Sequence, residues 1–381
     1  MNGNIRKRGN GWQITIWAGK KPDGTPLRYY ETIKGSKTDA QIRRRELLSG
    51  MDKGIPIPTG QLTLADLLDQ WLAGYVKNKC SDRTYDGYET IVIKHLKPNL
   101  GHILLRQLDR SAIEIYYGKA GEKLSARTIQ HQHRILSEAL KWSVRKGILG
   151  RNPCDMVDAP KPRKTIMRTL TPPEVDRLLN QASSSRFYPV IYMAISSGLR
   201  RAELLGLRWR DIDLDMLSIS VSRVLYKRRG VVVFKEPKTE HSQRQVAMTP
   251  KLAIFLREYK RQREILNLEL GRPLALDDLV FSNIDGDPLD PCTLTHEFSK
   301  IARLAGLGKV RFHDLRHTFA SLMLLRGAQP KVISEALGHA SVAFTMDVYS
   351  HTISGMQENA MALLDEIMPP GVLASNERQG A

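Results

Sequence analysis

Two arginines, a lysine, two histidines and a tyrosine fall in four short stretches of the C-terminal half of this 381-residue chain. Arg200 lies in SSGLRRAELLGLRW and Lys238 in EPKTEHSQRQV. His313 and Arg316 lie in RFHDLRHTFAS, and His339 and Tyr349 in LGHASVAFTMDVYSH. Guanidinium and imidazole groups hold phosphate oxygens, a lysine or histidine passes protons, and a phenol can act as a nucleophile. A phosphodiester is the target that this combination suits.

Each residue also has a blander reading. Arg200 stands beside Leu204, Leu205 and Leu207, with Glu203 one helical turn on. Its planar fork can grip a phosphate while Glu203 holds it in place. The same two residues could form a surface ion pair of little worth. Arg201 and Arg208 compete for the role. Lys238 sits in the turn Glu236-Pro237-Lys238-Thr239-Glu240 between two strands. From a hairpin tip it could reach into a groove and protonate a leaving oxygen, or it could be a solvated charge. Lys235 is the neighbour most easily mistaken for it. His313 and Arg316, three apart, share one helix face, whereas Leu315, Phe319 and Leu322 point into a core. His313 and His317 have the spacing of a metal pair, but no glutamate lies between them and no third ligand stands nearby. No metal and no cofactor are expected. An isolated Tyr349 would read as a buried phenol hydrogen-bonded to its helix.

The charge balance names a class of partner. Lys and Arg number 58 against 40 Asp and Glu, a net charge of +18. That surplus favours a polyanion, through release of counterions from a phosphate backbone. The basic residues cluster, as at Arg6-Lys7-Arg8 and Arg43-Arg44-Arg45. Cys80, Cys154 and Cys292 are far apart and show no metal-ligand spacing, which fits a reducing compartment. The first residues lack the apolar run of a secretory signal, and no stretch approaches roughly 20 consecutive apolar residues. A cytoplasmic protein, without a membrane partner, is expected.

The elements that must position these groups fall into three segments. Residues 1–50 carry eleven Lys and Arg against four Asp and Glu, a net of +7. Residues 11–17 alternate with the strand period, Lys20 to Thr25 is turn chemistry, and 27–32 is a second strand, so the pair reads as a hairpin. Ser36 or Thr38 caps a helix starting near Asp39. The module is a DNA-binding unit, with Arg6, Lys7, Arg8, Lys20 and Lys21 as contacts, or a plain cap on the neighbouring helical segment. Ile55-Pro56-Ile57-Pro58 is an extended linker. From Thr63 to about Lys146 the pattern is helical. Thr63 is an N-cap, Leu64, Leu67, Leu68, Trp71 and Leu72 keep the 3.6 period, and further helices fit 81–95, 109–118 and 125–145. The last buries Ile129, Leu136, Leu140 and Val144, and turns Arg127, His131, Arg134 and Lys141 outward, to DNA or only to water. Thr171-Pro172-Pro173-Glu174 opens a third segment that is mostly helical, with strands at 217–221, 231–234 and 244–248. Met356, Ala360, Leu363, Leu364 and Ile367 form an apolar stripe at helical spacing, to be covered by the same chain or by a neighbouring copy. The expected divisions are 1–55, 60–158, 168–368 and a disordered tail at 369–381.

The motifs Gly-Leu-Arg with Leu-x-Leu-Arg-Trp, Lys-Thr-x-x-Ser-x-Arg, His-x-x-Arg, Leu-Gly-His and Thr-x-x-x-Tyr-x-His occur here in one order. As a set they resemble the active site of the tyrosine recombinases, the phage-integrase family. The resemblance implies a multidomain, mainly α protein with small β elements. It would have an N-terminal three-stranded sheet plus helix that binds arm-type DNA, a helical SAM-like core-binding domain and a mixed α+β catalytic domain. It implies that Tyr349 is the nucleophile, that Arg200, Arg316 and His339 stabilise the phosphorane-like transition state, that Lys238 protonates the leaving oxygen and that His313 helps deprotonate the tyrosine, with Glu203 in support. The partners implied are double-stranded attachment sites and a homotetramer on DNA, with DNA-bending or directionality proteins as accessories. A type IB topoisomerase shares the chemistry, and a DNA-binding protein with a decayed site is a second alternative. The two-part DNA-binding N-terminus argues against the first and the full residue set against the second.

Overall fold

The computed structural model describes residues 3–20, 25–52, 62–163, 167–236 and 244–339, with isolated positions at 341–343, 346 and 361. Lys21, Lys238, Tyr349 and the stripe residues Met356, Ala360, Leu363, Leu364 and Ile367 lie outside the described residues. The chain divides into two compact units, residues 1–164 and 165–381.

The first unit holds two separate clusters of buried apolar side chains. Strands β1 (Gly3–Arg8), β2 (Gly11–Lys20) and β3 (Pro26–Ile33) form an antiparallel sheet in that order. Ile14 and Ile16, two apart on one face of β2, meet Tyr29 of β3 and Ala40 of helix α1 (Lys37–Asp52). Ser36 rather than Thr38 caps that helix: its hydroxyl accepts from the Asp39 N–H at 3.2 Å, and the Asp39 carboxylate accepts from the Ser36 N–H at 2.8 Å. The residues alone indicate only the β2–β3 hairpin. The added strand, β1, carries one apolar side chain, Ile5, and is held to the sheet by backbone pairing from Gly3 opposite Ile16 to Arg8 opposite Gly11, together with the Arg6 Nε bond to Gln13.

The second cluster of this unit is helical. Helix α2 (Leu64–Trp71) runs through a π-turn, Leu72–Val76, into α3 (Lys77–Lys79). Helix α4 (Asp82–Ile91) runs through a second π-turn, Val92–Leu96, into α5 (Lys97–Leu100). The helix expected over 81–95 is therefore longer. Pro98 lacks the N–H of one backbone bond, and the ladder slips by one residue just before it. Helices α6 (Arg110–Gly121) and α7 (Ala126–Arg145) complete the bundle. Each start has a local cause: the side chains of Thr63, Ser81, Asp109 and Ser125 all accept backbone N–H groups three residues on. Trp71 stacks on Tyr88 with ring centres 5.6 Å apart. Helix α7 buries Ile129, Leu136 and Leu140 and leaves Arg127, His131, Arg134 and Lys141 exposed. Val144 is half-buried.

The second unit begins with α8 (Pro172–Ala182), where Glu174 accepts the Thr171 N–H at 2.9 Å. Next along the chain are α9 (Tyr188–Ser197), α10 (Arg201–Leu204), β4 (Ile212–Asp213), β5 (Ser218–Val221), β6 (Val224–Arg228), β7 (Val231–Lys235) and β8 (Arg244–Ala247). After them come α11 (Pro250–Glu269), α12 (Pro291–Leu304), α13 (Asp314–Leu325) and α14 (Pro330–Leu337). Strands β4, β5 and β8 form one sheet, and β6 and β7 form a separate hairpin. Residues 217–248 thus hold one more strand than expected. The β6–β7 turn is Arg229-Gly230, both with positive φ, a two-residue turn without the usual asparagine or aspartate signal. Leu178, Ile191, Leu204, Ile219, Leu252, Phe298 and Leu315 form the centre of the core.

Candidate active site

Gly198 is where the site begins. It ends α9 with φ +65, in the left-handed region. A Cβ there would fall 2.4 Å from Phe319 and 2.9 Å from Leu337. Only glycine fits both the conformation and the space. The turn buries Leu199 and sets Arg200 at the N-cap of α10.

Arg200 donates from Nη1 to Glu203 Oε1 at 2.7 Å and from Nη2 to the Gly338 carbonyl at 3.0 Å. Its side chain is 36% exposed, whereas Glu203 is 2% exposed. Glu203 also accepts the Arg200 backbone N–H at 2.8 Å. A second guanidinium, Arg244, grips the same carboxylate with both Nη atoms at 3.1 Å and donates from Nε to the Ala336 carbonyl at 2.8 Å. Burial pushes the Glu203 carboxyl up. The hydrogen bonds and charge of Arg244, with the charge of Arg200, outweigh it and hold the carboxyl below its ordinary range. Glu203 is therefore the buried centre of a multiply bonded cluster, not half of the weak surface ion pair that the sequence left open. Arg201 and Arg208 turn elsewhere. Arg201 donates to the Pro291 carbonyl and Thr295, and Arg208 to Asp211 and Asp277.

Arg316 is 3% exposed on α13 and donates to the Gly198 carbonyl at 2.8 Å and to the Leu337 carbonyl. Both Arg200 and Arg316 are thus tied to the same turn at 337–338, with Gly198 between them in the fold. His313 caps α13, and its ring meets that of His317 edge-on at 5.1 Å. Burial, then the Arg316 charge, lowers the His313 pKa; Arg200 adds to the effect. His317 is pushed down to about 4 by burial and by His313, and His339 to about 4 by burial, Arg316 and Arg200. These last two histidines are neutral at pH 7, beside fixed positive charge. Among the described residues no group of three metal-ligating side chains gathers here or elsewhere.

The seven residues expected to be catalytic or supporting divide clearly. Arg200, Glu203, His313, Arg316 and His339 come together, while Lys238 and Tyr349 lie outside the described residues. Arg244 is a site residue that the sequence reading passed over. Its signal is present, as the final residue of Lys-Thr-x-x-Ser-x-Arg. Of the expected DNA contacts, Arg6, Lys7 and Arg8 are exposed on β1, with Arg6 Nε donating to Gln13 at 2.9 Å. Lys20 ends β2.

The model of the phage integrase family matches residues 168–354, and that of the phage integrase N-terminal SAM-like domain matches 63–121. The integrase of ICEBs1 from Bacillus subtilis is 31% identical over 64% of this chain and 67% of its own length. The chain belongs to the phage integrase family. It is a tyrosine recombinase, an enzyme that cuts and rejoins DNA. A tyrosine recombinase XerC-like protein of Caldanaerobacter subterraneus is 27% identical to it, over 93% of this chain and 96% of the relative. Among solved structures, the integrase of transposon Tn1549 in complex with transposon right end DNA superposes with a TM-score of 0.67 at 22% identity, covering 80% of the recombinase and 99% of that chain. A lambda integrase tetramer bound to a Holliday junction gives 0.58 at 18% identity, covering 90% and 94%.

Proposed function

We propose that the recombinase is the integrase of a phage or other integrative element, joining and releasing DNA at defined attachment sites. The observation that supports this most is the convergence of Arg200, Arg316, His313 and His339 on the turns at 198 and 337–338, with Glu203 as a carboxylate already claimed by Arg200 and Arg244. Such a pocket leaves net positive charge for a phosphate without a metal.

In this reading Tyr349 attacks the scissile phosphorus. The P–O bond to the 5′-oxygen breaks, leaving a 3′-phosphotyrosyl link and a 5′-hydroxyl that takes its proton from Lys238. Neutral His313 receives the phenolic proton. Arg200 and Arg316 hold the non-bridging oxygens with orientations fixed by backbone carbonyls, and His339 donates one N–H to them. The phosphotyrosyl bond keeps the energy of the broken bond, so attack by a second 5′-hydroxyl reseals DNA without ATP. Exchange between two duplexes calls for four copies on two sites. The basic strand β1, with Lys20 and Lys21, serves as an arm-type module over 1–55, and the exposed face of α7 contacts the core site through Arg127, Arg134 and Lys141. The protein works in the cytoplasm, with DNA-bending or directionality proteins as accessories.

The test is Tyr349→Phe on nicked suicide substrates. The variant is expected to bind attachment-site DNA like the parent and to form no covalent adduct on a denaturing gel. The parent's cleavage is expected to survive EDTA. An adduct that persists in Tyr349→Phe assigns the nucleophile elsewhere.

A further inference from the structure

A second cavity, of about 670 Å³, opens in the catalytic unit at the other end of α9 from Arg200. Its size lies within the range of small-molecule sites, about 300–1,000 Å³. Tyr188 and Pro189 of the first turn of α9 line it, with Phe255, Tyr259 and Arg263 of α11 and the loop Ser282–Asp285. Three rings make one wall: Phe255 meets Tyr188 edge-on at 5.8 Å and lies parallel to Tyr259 at 6.3 Å.

Arg263 is the unusual member. It is 9% exposed. Nη2 donates to Ser282 Oγ at 2.7 Å and to the Asn283 carbonyl at 3.1 Å, while Nε is buried with no partner. Among the described residues no carboxylate pairs with it. The two acids at the cavity do not supply its counterion: Glu258 is taken by Arg261 and Gln262 at 2.8–2.9 Å, and Asp285 faces solvent. A guanidinium cannot escape burial by losing its proton, and an unpaired buried charge is strongly unfavourable. An arriving anion would remove that penalty. Arg186, at the cavity's exposed side, adds a second cation. The rings provide an apolar surface beside these charges.

We infer that this cavity binds a small organic anion, a planar ring carrying a carboxylate or phosphate, with the anionic group on Arg263 and the ring against Tyr188, Phe255 and Tyr259. Calorimetric titration of the full chain with benzoate and indole-3-carboxylate tests it, with benzamide as the uncharged control. The expected result is saturable one-to-one binding of at least one carboxylate, with benzamide and Arg263→Gln each weaker by about tenfold or more, ~1.4 kcal/mol. Arg263→Lys should recover part of the affinity. Ile284→Asp, a change at an exposed rim position, should weaken binding several-fold at low salt and leave Tm unchanged, so a folding failure of the Arg263 variant does not blunt the test. Absence of saturation up to about 10 mM, or equal binding by Arg263→Gln, overturns the inference. So does a loss of DNA affinity in Arg263→Gln with no carboxylate bound, which would make the arginine part of the DNA interface. The readout is binding of a small molecule, so none of these outcomes depends on the cleavage assay with Tyr349→Phe.

Discussion

Glu203→Gln isolates the cluster that holds Arg200, the first of the two proposed catalytic arginines. The substitution keeps the shape of the side chain but removes its charge, and replaces one acceptor oxygen by an amide donor. Four hydrogen bonds end on this carboxylate: two from Arg200 at 2.7 and 2.8 Å, and two from Arg244 at 3.1 Å. Whichever way the amide turns, two of the four donors face an NH2 group. Bonds to a charged group contribute about 1.5–3 kcal/mol each, so losing two predicts a loss of ~3–6 kcal/mol. The usual effect of breaking a buried ion pair, about 3–5 kcal/mol, gives the same scale. The loss should be local first. Hydrogen exchange by mass spectrometry, on peptides covering residues 196–209 and 330–339, should show opening free energies reduced by that amount while peptides from α6 and α7 are unchanged. Cleavage should fall as well, because Arg200 loses the partner that aims it. If the exchange changes by less than about 1 kcal/mol, the carboxylate is not what holds Arg200 and Arg244 together.

Acidification is the second perturbation. His317 and His339 titrate near 4 in the folded chain and near 6.5 when unfolded. Between those values the unfolded state binds more protons, so stability falls as pH drops from about 6.5 towards 4 and is flat above that window. Melting curves between pH 7.5 and 4.5 check this, and His317→Asn should flatten the slope; a Tm independent of pH would contradict it. Deleting residues 1–55 should abolish recognition of one class of DNA site and leave core-site binding largely intact. The salt dependence of binding should become shallower, by close to one unit of slope for each phosphate contact removed. Unchanged site preference and slope, read by filter binding at several salt concentrations, would make the module a structural cap.

Much of this could be seen in the sequence where the cause is local. Thr63, Ser81, Asp109, Ser125 and Thr171 announce their helices because a cap acts over three residues. The β2–β3 hairpin shows in its alternation. What could not be seen depends on distant partners. Strand β1 is ordered by pairing with β2, and its own residue pattern, with the single apolar Ile5, does not announce it. Arg200 could not be told from Arg201 or Arg208 by residue type, and the choice is made by carbonyls and acids elsewhere in the fold. Arg244 lies 41 residues from the glutamate it grips. Periodicity does not report a contact of that span. The family resemblance supplied the register of the residues expected to be catalytic, and the structure supplied the reason that the described ones face one another.

The bonds at the turn near residue 338 have a consequence for how the protein comes into being. Arg200 closes on Gly338 across 138 residues, and Arg316 closes on Gly198 across 118. Contacts of that span form late, after the loops between them have been gathered. During synthesis the chain emerges from its N-terminus, so the basic arm and the helical bundle can fold before residue 339 has been made. On the proposed roles, a partly synthesised chain would hold DNA before it possessed the pocket that cuts it. With Tyr349 as the proposed nucleophile, competence to break a strand would come only with the last part of the chain, and an interrupted or truncated copy would be a ligand for DNA and not a nuclease.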